Sequence, residues 1–135
     1  VRYLVDAMNV IGARPDGWWR DRQAALAALV QRLEIFAERE RAEVTVVLER
    51  PLPICSSVLT VTSAPAAAAD SADDEIIRLL DADEHPHDIV VITSDATLAR
   101  RARGAGAQIL SAGRFRDNLD RLDRLDRPGA TGAPE

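Results

Sequence analysis

Short apolar runs alternate with longer stretches whose apolar residues fall three and four apart, and this alternation limits the fold more than any other feature of the sequence. The clearest run is Asp88-Ile89-Val90-Val91-Ile92. Tyr3-Leu4-Val5 opens the chain, and Val44, Val46, Val47 and Leu48 form a second run over 43–49. Shorter runs at 58–61 and 107–110 bring the expected strands to five. These runs are nearly continuous in apolar character, as in parallel strands covered on both faces. Between them, Leu26, Leu29, Val30, Leu33, Phe36 and Ala37 mark one face of a long helix expected from about 18 to 41. Ile76, Ile77, Leu79 and Leu80 mark a helix over 72–83. Two more are expected over 96–103, closed by Gly104, and over 114–127, with Leu119, Leu122 and Leu125 in a stripe. Asp117 and Arg121, and Asp120 and Arg124, are spaced for ion pairs along that last helix. Pro51 and Pro53 break regular structure, and 62–69 reads as a loop or a short helix. The alternation predicts an α/β fold, with a mainly parallel sheet of about five strands and helices on both faces.

At 135 residues and 47% hydrophobic, the chain is expected to form one domain over 1–127, with 128–135 a disordered tail. No apolar run approaches the ~18 residues a membrane span needs. No signal peptide is expected, and Cys55, the sole cysteine, has no partner within the chain, so the expected compartment is the cytoplasm. Cys55 reads as a small apolar filler. His85 and His87 read as surface residues, with no third metal ligand of the right kind nearby. The net charge of −5 disfavours general attraction to polyanions. All 17 basic residues are Arg, which excludes every mechanism that needs a lysine, that of a phosphoacceptor receiver domain included. The chain has no P-loop and no dinucleotide fingerprint, and Met8 stands where an Asp-x-Asp phosphatase would carry its second acid.

Three acidic spots stand out. Asp6 follows the first strand, Asp73, Asp74 and Glu75 open the helix after the third, and Asp95 follows the fourth. In a wound parallel sheet the ends of strands one and four lie side by side where the strand order reverses, and ligands bind there. Carboxylates converging at that edge repel one another unless protonated or bridged by a cation. Oxygen ligands suit Mg2+ or Mn2+, which can activate water against a phosphodiester. Each acid also has a plainer reading. Asp73 and Asp74 follow Ser71 as in a capping box, and Asp95 suits a helix N-cap. Asp6 fits this reading least, since it ends a buried strand without an evident helix after it.

The segments Leu4-Val5-Asp6-Ala7-Met8-Asn9-Val10-Ile11-Gly12, Ser71-Ala72-Asp73-Asp74-Glu75-Ile76-Ile77 and Val91-Ile92-Thr93-Ser94-Asp95 resemble, in order, the three signature segments of the PIN-like nuclease superfamily, and most closely its NYN, YacP-like branch. The stretch Ala105-Gly106-Ala107-Gln108-Ile109-Leu110-Ser111 also matches that branch, and the likeness runs over about 1–117. It implies a three-layer α/β/α sandwich and metal-dependent endonucleolytic cleavage of RNA. The family acids fall on Asp6, Asp73 and Asp95, which would hold Mg2+ or Mn2+, and the polar residue after the first strand falls on Asn9. Ala7 and Met8 depart from the Gly and aromatic common there. A fourth acid has only Asp74 or Asp117 as candidates.

On this reading Asn9 would hydrogen-bond a metal-bound water or a phosphate. Arg14, Arg20 and Arg100 would contact RNA, with Arg101 and Arg103 beside the last. Trp18 or Trp19 could stack on unpaired bases, although one tryptophan of such a pair more often anchors to a core. Thr93 and Ser94 read as residues that finish the strand. The expected partner is RNA, with mRNA and the ribosome as its context, and the chain is expected to be a monomer or weak homodimer. The alternative is a non-catalytic RNA-binding or protein-interaction module on the same fold, and the C-terminal leucine stripe is a candidate partner-binding face.

Overall fold

The structure is a computed structural model that describes residues 2–14, 16–64 and 72–126, apart from the side chains of Leu125 and Asp126. The expected tail at 128–135 and the capping role of Ser71 lie outside the described residues. Strands β1 (Arg2–Asp6), β2 (Glu43–Leu48), β3 (Thr60–Ser63), β4 (Ile89–Ile92) and β5 (Gln108–Leu110) form one parallel sheet in the order β3-β2-β1-β4-β5. Among the described residues there are five α-helices: α1 (Ala7–Ile11), α2 (Arg22–Glu40), α3 (Ala72–Ala82), α4 (Ala96–Gly104) and α5 (Ala112–Asp126). This is the α/β architecture that the alternation predicts.

Successive side chains on a strand point to opposite faces, so each strand feeds two cores. Val5, Val46 and Ile92 pack on one face with α1, α2 and α5. Leu4, Val47 and Val91 pack on the other with α3 and α4. Val5 lies level with both Val46 and Ile92 in the ladders, so one apolar layer crosses the sheet. Leu33, Phe115 and Leu119 are almost wholly buried, each such side chain contributing about 1.5–3 kcal/mol. Leu119 therefore belongs to the chain's own core, and Leu122 packs against it, which removes them from the expected partner face.

Several boundaries differ from expectation for local reasons. The Ser56 hydroxyl accepts from the amides of Val58 and Leu59, both at 3.0 Å, and the turn so formed delays β3 to Thr60. Asp21 accepts from the Ala24 amide at 3.0 Å and starts α2 at Arg22, leaving Trp18–Arg20 as a separate 3-10 turn. Gly104 is the last residue of α4 rather than its cap. Gly106 takes the positive φ, +101°, where a Cβ would meet the Pro86 ring at 3.4 Å. On α5 the acids reach across to other elements instead of along the helix. Asp117 pairs with Arg14, and Asp120 with Arg32 at 2.6 Å. Cys55 is exposed and fills no core.

Candidate active site

β1 and β4 lie side by side in the sheet, and β1 runs far enough for Asp6 to lie level with Val47 of β2. Helix α1 starts immediately, so Asp6 does occupy an N-cap position, contrary to the sequence reading. Its side chain closes no capping bond. Instead Oδ2 accepts from the Thr93 hydroxyl at 3.0 Å, and only 6% of the residue is exposed. Burial is the largest influence on its pKa and raises it. The Thr93 hydrogen bond opposes that, the Asp73 charge raises the pKa again, the Asn9 amide facing the carboxylate lowers it, and the Asp95 charge raises it. The balance is a carboxyl pushed up to about 6 from 3.8. Among the described residues, no arginine forms a hydrogen bond or ion pair with Asp6.

Thr93 carries more than the end of a strand. Its oxygen also accepts the Asp95 amide at 3.1 Å, tying the two acids together through one hydroxyl. Asp95 is the N-cap of α4, with Oδ1 accepting from Thr97 at 2.9 Å and Leu98 at 3.1 Å. Capping uses that one oxygen and none of the described hydrogen bonds uses the other, so the plain and the functional readings of Asp95 are compatible. Asn9 Oδ1 accepts the Ser94 amide at 2.7 Å, and Ser94 Oγ accepts the Ala112 amide at 2.9 Å. These bonds fix the segment after β4 against α1 and α5. They also commit the Asn9 oxygen. Asp73 is half-buried in the first turn of α3, and its charge acts on Asp6.

The two candidates for a fourth acid are neutralised elsewhere. Asp74 pairs with Arg101 of α4 at 2.9 Å, and Asp117 pairs with Arg14. Arg14 also lies 3.6 Å from Asp120, so the guanidinium expected to meet RNA is held by α5. Arg20 and Arg100 are exposed. Trp18 is half-buried against the core with the Arg22 guanidinium 5.6 Å from its ring centre, while Trp19 is 52% exposed. Among the described residues, no hydrogen bond or ion pair joins Arg14, Arg20, Trp18 or Arg100 to the three acids. Arg116, which the sequence reading passed over, is buried and donates to the Val10 carbonyl at 3.0 Å and to Asp16 at 3.2 Å. Cavities of about 400 and 620 Å3 lie beside Trp18 and along α5, and neither is lined by Asp6, Asp73 or Asp95.

The donor set of that edge is all oxygen, three carboxylates from three elements, as Mg2+ and Mn2+ prefer. The three do not form a closed cage. Among the described residues, the one group of three whose ligand atoms all lie within 4.8 Å of one another is His85, His87 and Asp88, at the opposite end of β4. A spread of carboxylates still fits a hydrated Mg2+, which keeps several waters and takes only one or two carboxylates directly.

This fold is similar to that of Rae1 (YacP) from Bacillus subtilis, with a TM-score of 0.78 and 26% identity over 93% of this chain and 76% of that one. A point mutant of the same protein gives 0.77 and 25% over 92% and 77%. A UPF0178 protein of Halorhodospira halophila is 34% identical over 93 residues, 69% of this chain and 58% of that protein, so the chain spans little more than half of that relative's length. The profile of DUF188, the uncharacterized YaiI/YqxD family, matches residues 24–120. Well over half of the chain lies inside that match, and the chain belongs to the YaiI/YqxD family.

Proposed function

We propose that this chain is a metal-dependent endoribonuclease that cuts RNA phosphodiester bonds at the acidic edge of its sheet, with Mg2+ or Mn2+ held by Asp6, Asp73 and Asp95. One observation carries the reading. Asp6 is buried at the end of the central strand, no arginine among the described residues hydrogen-bonds or ion-pairs with it, and two further acids raise its pKa. An anion so placed costs stability unless a cation joins it. The likeness to Rae1 (YacP) supports the same reading, and the choice of RNA over DNA rests on the NYN resemblance.

When bound, the ion supplies an activated water and neutralises charge growing on the phosphate oxygens. The chain's own residues prepare that chemistry. Thr93 orients Asp6 through Oδ2 and holds the Asp95 backbone through the same hydroxyl. Asn9 anchors Ser94 and so sets the distance between the ends of β1 and β4. The Asn9 NH2 group donates to a phosphate oxygen. Exposed Arg20 and Arg100 supply positive charge to a polyanion, whereas Arg14 must first leave Asp117. The resemblance supplies mRNA on the ribosome as the context.

The test is cleavage of a mixed single- and double-stranded RNA pool with Mn2+ or Mg2+ against EDTA, using wild type and identically purified Asp95→Asn. Asn caps a helix as well as Asp does, so the substitution removes the charge and keeps α4. Metal-dependent cutting that disappears in the variant is the expected result. Equal cutting in both proteins, or none with either metal, would overturn the proposal.

A further inference from the structure

The edge of the sheet opposite the acids carries a second group of ligand type that the proposed activity does not use. It is the turn His85-Pro86-His87-Asp88, which leads directly into β4. Ligand atoms of His85, His87 and Asp88 all lie within 4.8 Å of one another. His87 Nε2 and Asp88 Oδ1 are 3.6 Å apart, and the two imidazole rings meet edge to face with centroids 5.8 Å apart. In a tetrahedral zinc site with bonds of ~2.0–2.1 Å, neighbouring ligand atoms stand about 3.3 Å apart. The His87–Asp88 pair is already close to that spacing, and the His85 ligand atom lies within 4.8 Å of both.

The backbone under these side chains is fixed from several directions. Arg2 donates to both oxygens of Asp83 and to the His85 carbonyl, the last at 2.9 Å. The His85 amide donates to Asp83 at 2.8 Å, and the Asp88 amide donates back to the His85 carbonyl at 3.0 Å. Gln108 of β5 donates to the His87 carbonyl at 3.1 Å. The Pro86 ring packs beside Gly106, at ordinary van der Waals distance from where a Cβ would stand. Every one of these bonds engages the main chain or Asp83, and the side chains of His85, His87 and Asp88 are left exposed. A turn held in this way loses little further backbone entropy when its side chains converge on an ion.

The chemistry of the group also differs from that of the acidic edge. Two imidazoles and one carboxylate suit Zn2+ and its neighbours among the transition metals, not Mg2+. Three protein ligands on an exposed turn leave a fourth position open to solvent.

We propose that His85, His87 and Asp88 form a transition-metal site, selective for Zn2+ over Mg2+ and separate from the acidic edge. The site owes nothing to the nuclease reading and stands or falls without it.

The test uses the untagged full chain, with Zn2+ and separately Mg2+ titrated while the histidine ring signals are followed by NMR. Zn2+ is expected to shift the rings of His85 and His87 and saturate at one equivalent, with no such shift from Mg2+. Loss of an outer-shell partner alone costs ~10–100-fold in metal affinity, so His87→Ala is expected to weaken Zn2+ binding by at least about tenfold. The exposed side chain lets the variant keep its fold, which the amide spectrum checks. Ring signals that do not move under excess Zn2+ would overturn the proposal, as would unchanged Zn2+ affinity in the His85→Ala/His87→Ala double variant.

Discussion

At the edge where β1 begins, Arg2 donates to both oxygens of Asp83, at 2.5 and 3.0 Å. That hydrogen bonding, helped by the His85 amide, holds the Asp83 carboxyl down at about 2. At the edge where β1 ends, Asp6 meets a hydroxyl, the facing Asn9 amide and the charges of two other acids, and burial pushes it up to about 6. The same residue type is shifted in opposite directions at the two ends of one strand. The chain supplies the counter-charge at Asp83, and among the described residues no arginine pairs with Asp6. A buried carboxylate without a cation is a standing cost, and the proposed divalent ion is what removes it.

The largest effect expected from disturbing this contrast is on activity. Asp95→Asn should lower metal-dependent RNA cleavage at least about 100-fold, the loss of a few kcal/mol of metal-borne stabilisation, with little change in Tm. Rates from single-turnover cleavage, set beside a thermal melt, check both halves.

Asp6→Asn should instead stabilise the metal-free protein. The folded pKa of about 6 lies above the ordinary 3.8, so the folded state holds the proton more tightly than the unfolded state does. The stability this contributes is fully present below 3.8 and is lost as pH rises through about 6. At neutral pH the ionised group therefore costs on the order of 3 kcal/mol, which the neutral amide recovers. Melts in EDTA should show the variant several degrees above wild type near pH 7.5, with the gap closing towards pH 4. A variant less stable than wild type at both pH values would break the comparison.

Thr93→Val should cost about 1–2 kcal/mol, because the Asp6 oxygen and the Asp95 amide both lose their partner. The same change should move the Asp6 carboxyl further up, since the threonine bond lowers it. Denaturant melts and a carboxyl NMR titration read the two effects.

The smallest effect belongs to the paired edge. Arg2→Met should slightly lower Tm near neutral pH and let the Asp83 carboxyl rise from about 2 towards its ordinary value. Because the folded pKa is depressed, the stability that pair contributes is present above 3.8 and is lost as pH falls through about 2. The variant should lack that acid-side decline. An Asp83 that still titrates near 2 in Arg2→Met would show that the arginine is not its counter-charge.

Much of this arrangement is legible in the sequence because it follows from periodicity. The five strands, both helix-covered faces and the adjacency of β1 and β4 come from apolar spacing and the rules of parallel sheets. Asp6, Asp73 and Asp95 stand out because each follows or opens such an element. Contacts between distant segments leave no such trace. Asp120 is spaced for Arg124 along its own helix, yet Arg32 on α2 takes it, because α5 packs on α2. Thr93 looks like a strand end until the fold sets its hydroxyl against an acid 87 positions away. Asp88 is adjacent to His87 in sequence, but the 3-10 turn at Pro86–Asp88 is what brings both near His85. The sequence does hold a signal for α1, the apolar Ala7, Val10 and Ile11 spaced three and four apart, but the run is short enough to read as the loop that follows the strand.

The central claim is that the chain leaves its acidic edge for a cation, and paramagnetic Mn2+ tests it most directly. Added below one equivalent to 15N-labelled protein, Mn2+ is predicted to broaden the amide signals of Asp6, Asn9, Asp73, Ser94 and Asp95 first, to spare Arg2 and Asp83, and to lose this selectivity in Asp6→Asn. Broadening spread evenly over the surface, or the same selective pattern in Asp6→Asn, would contradict it.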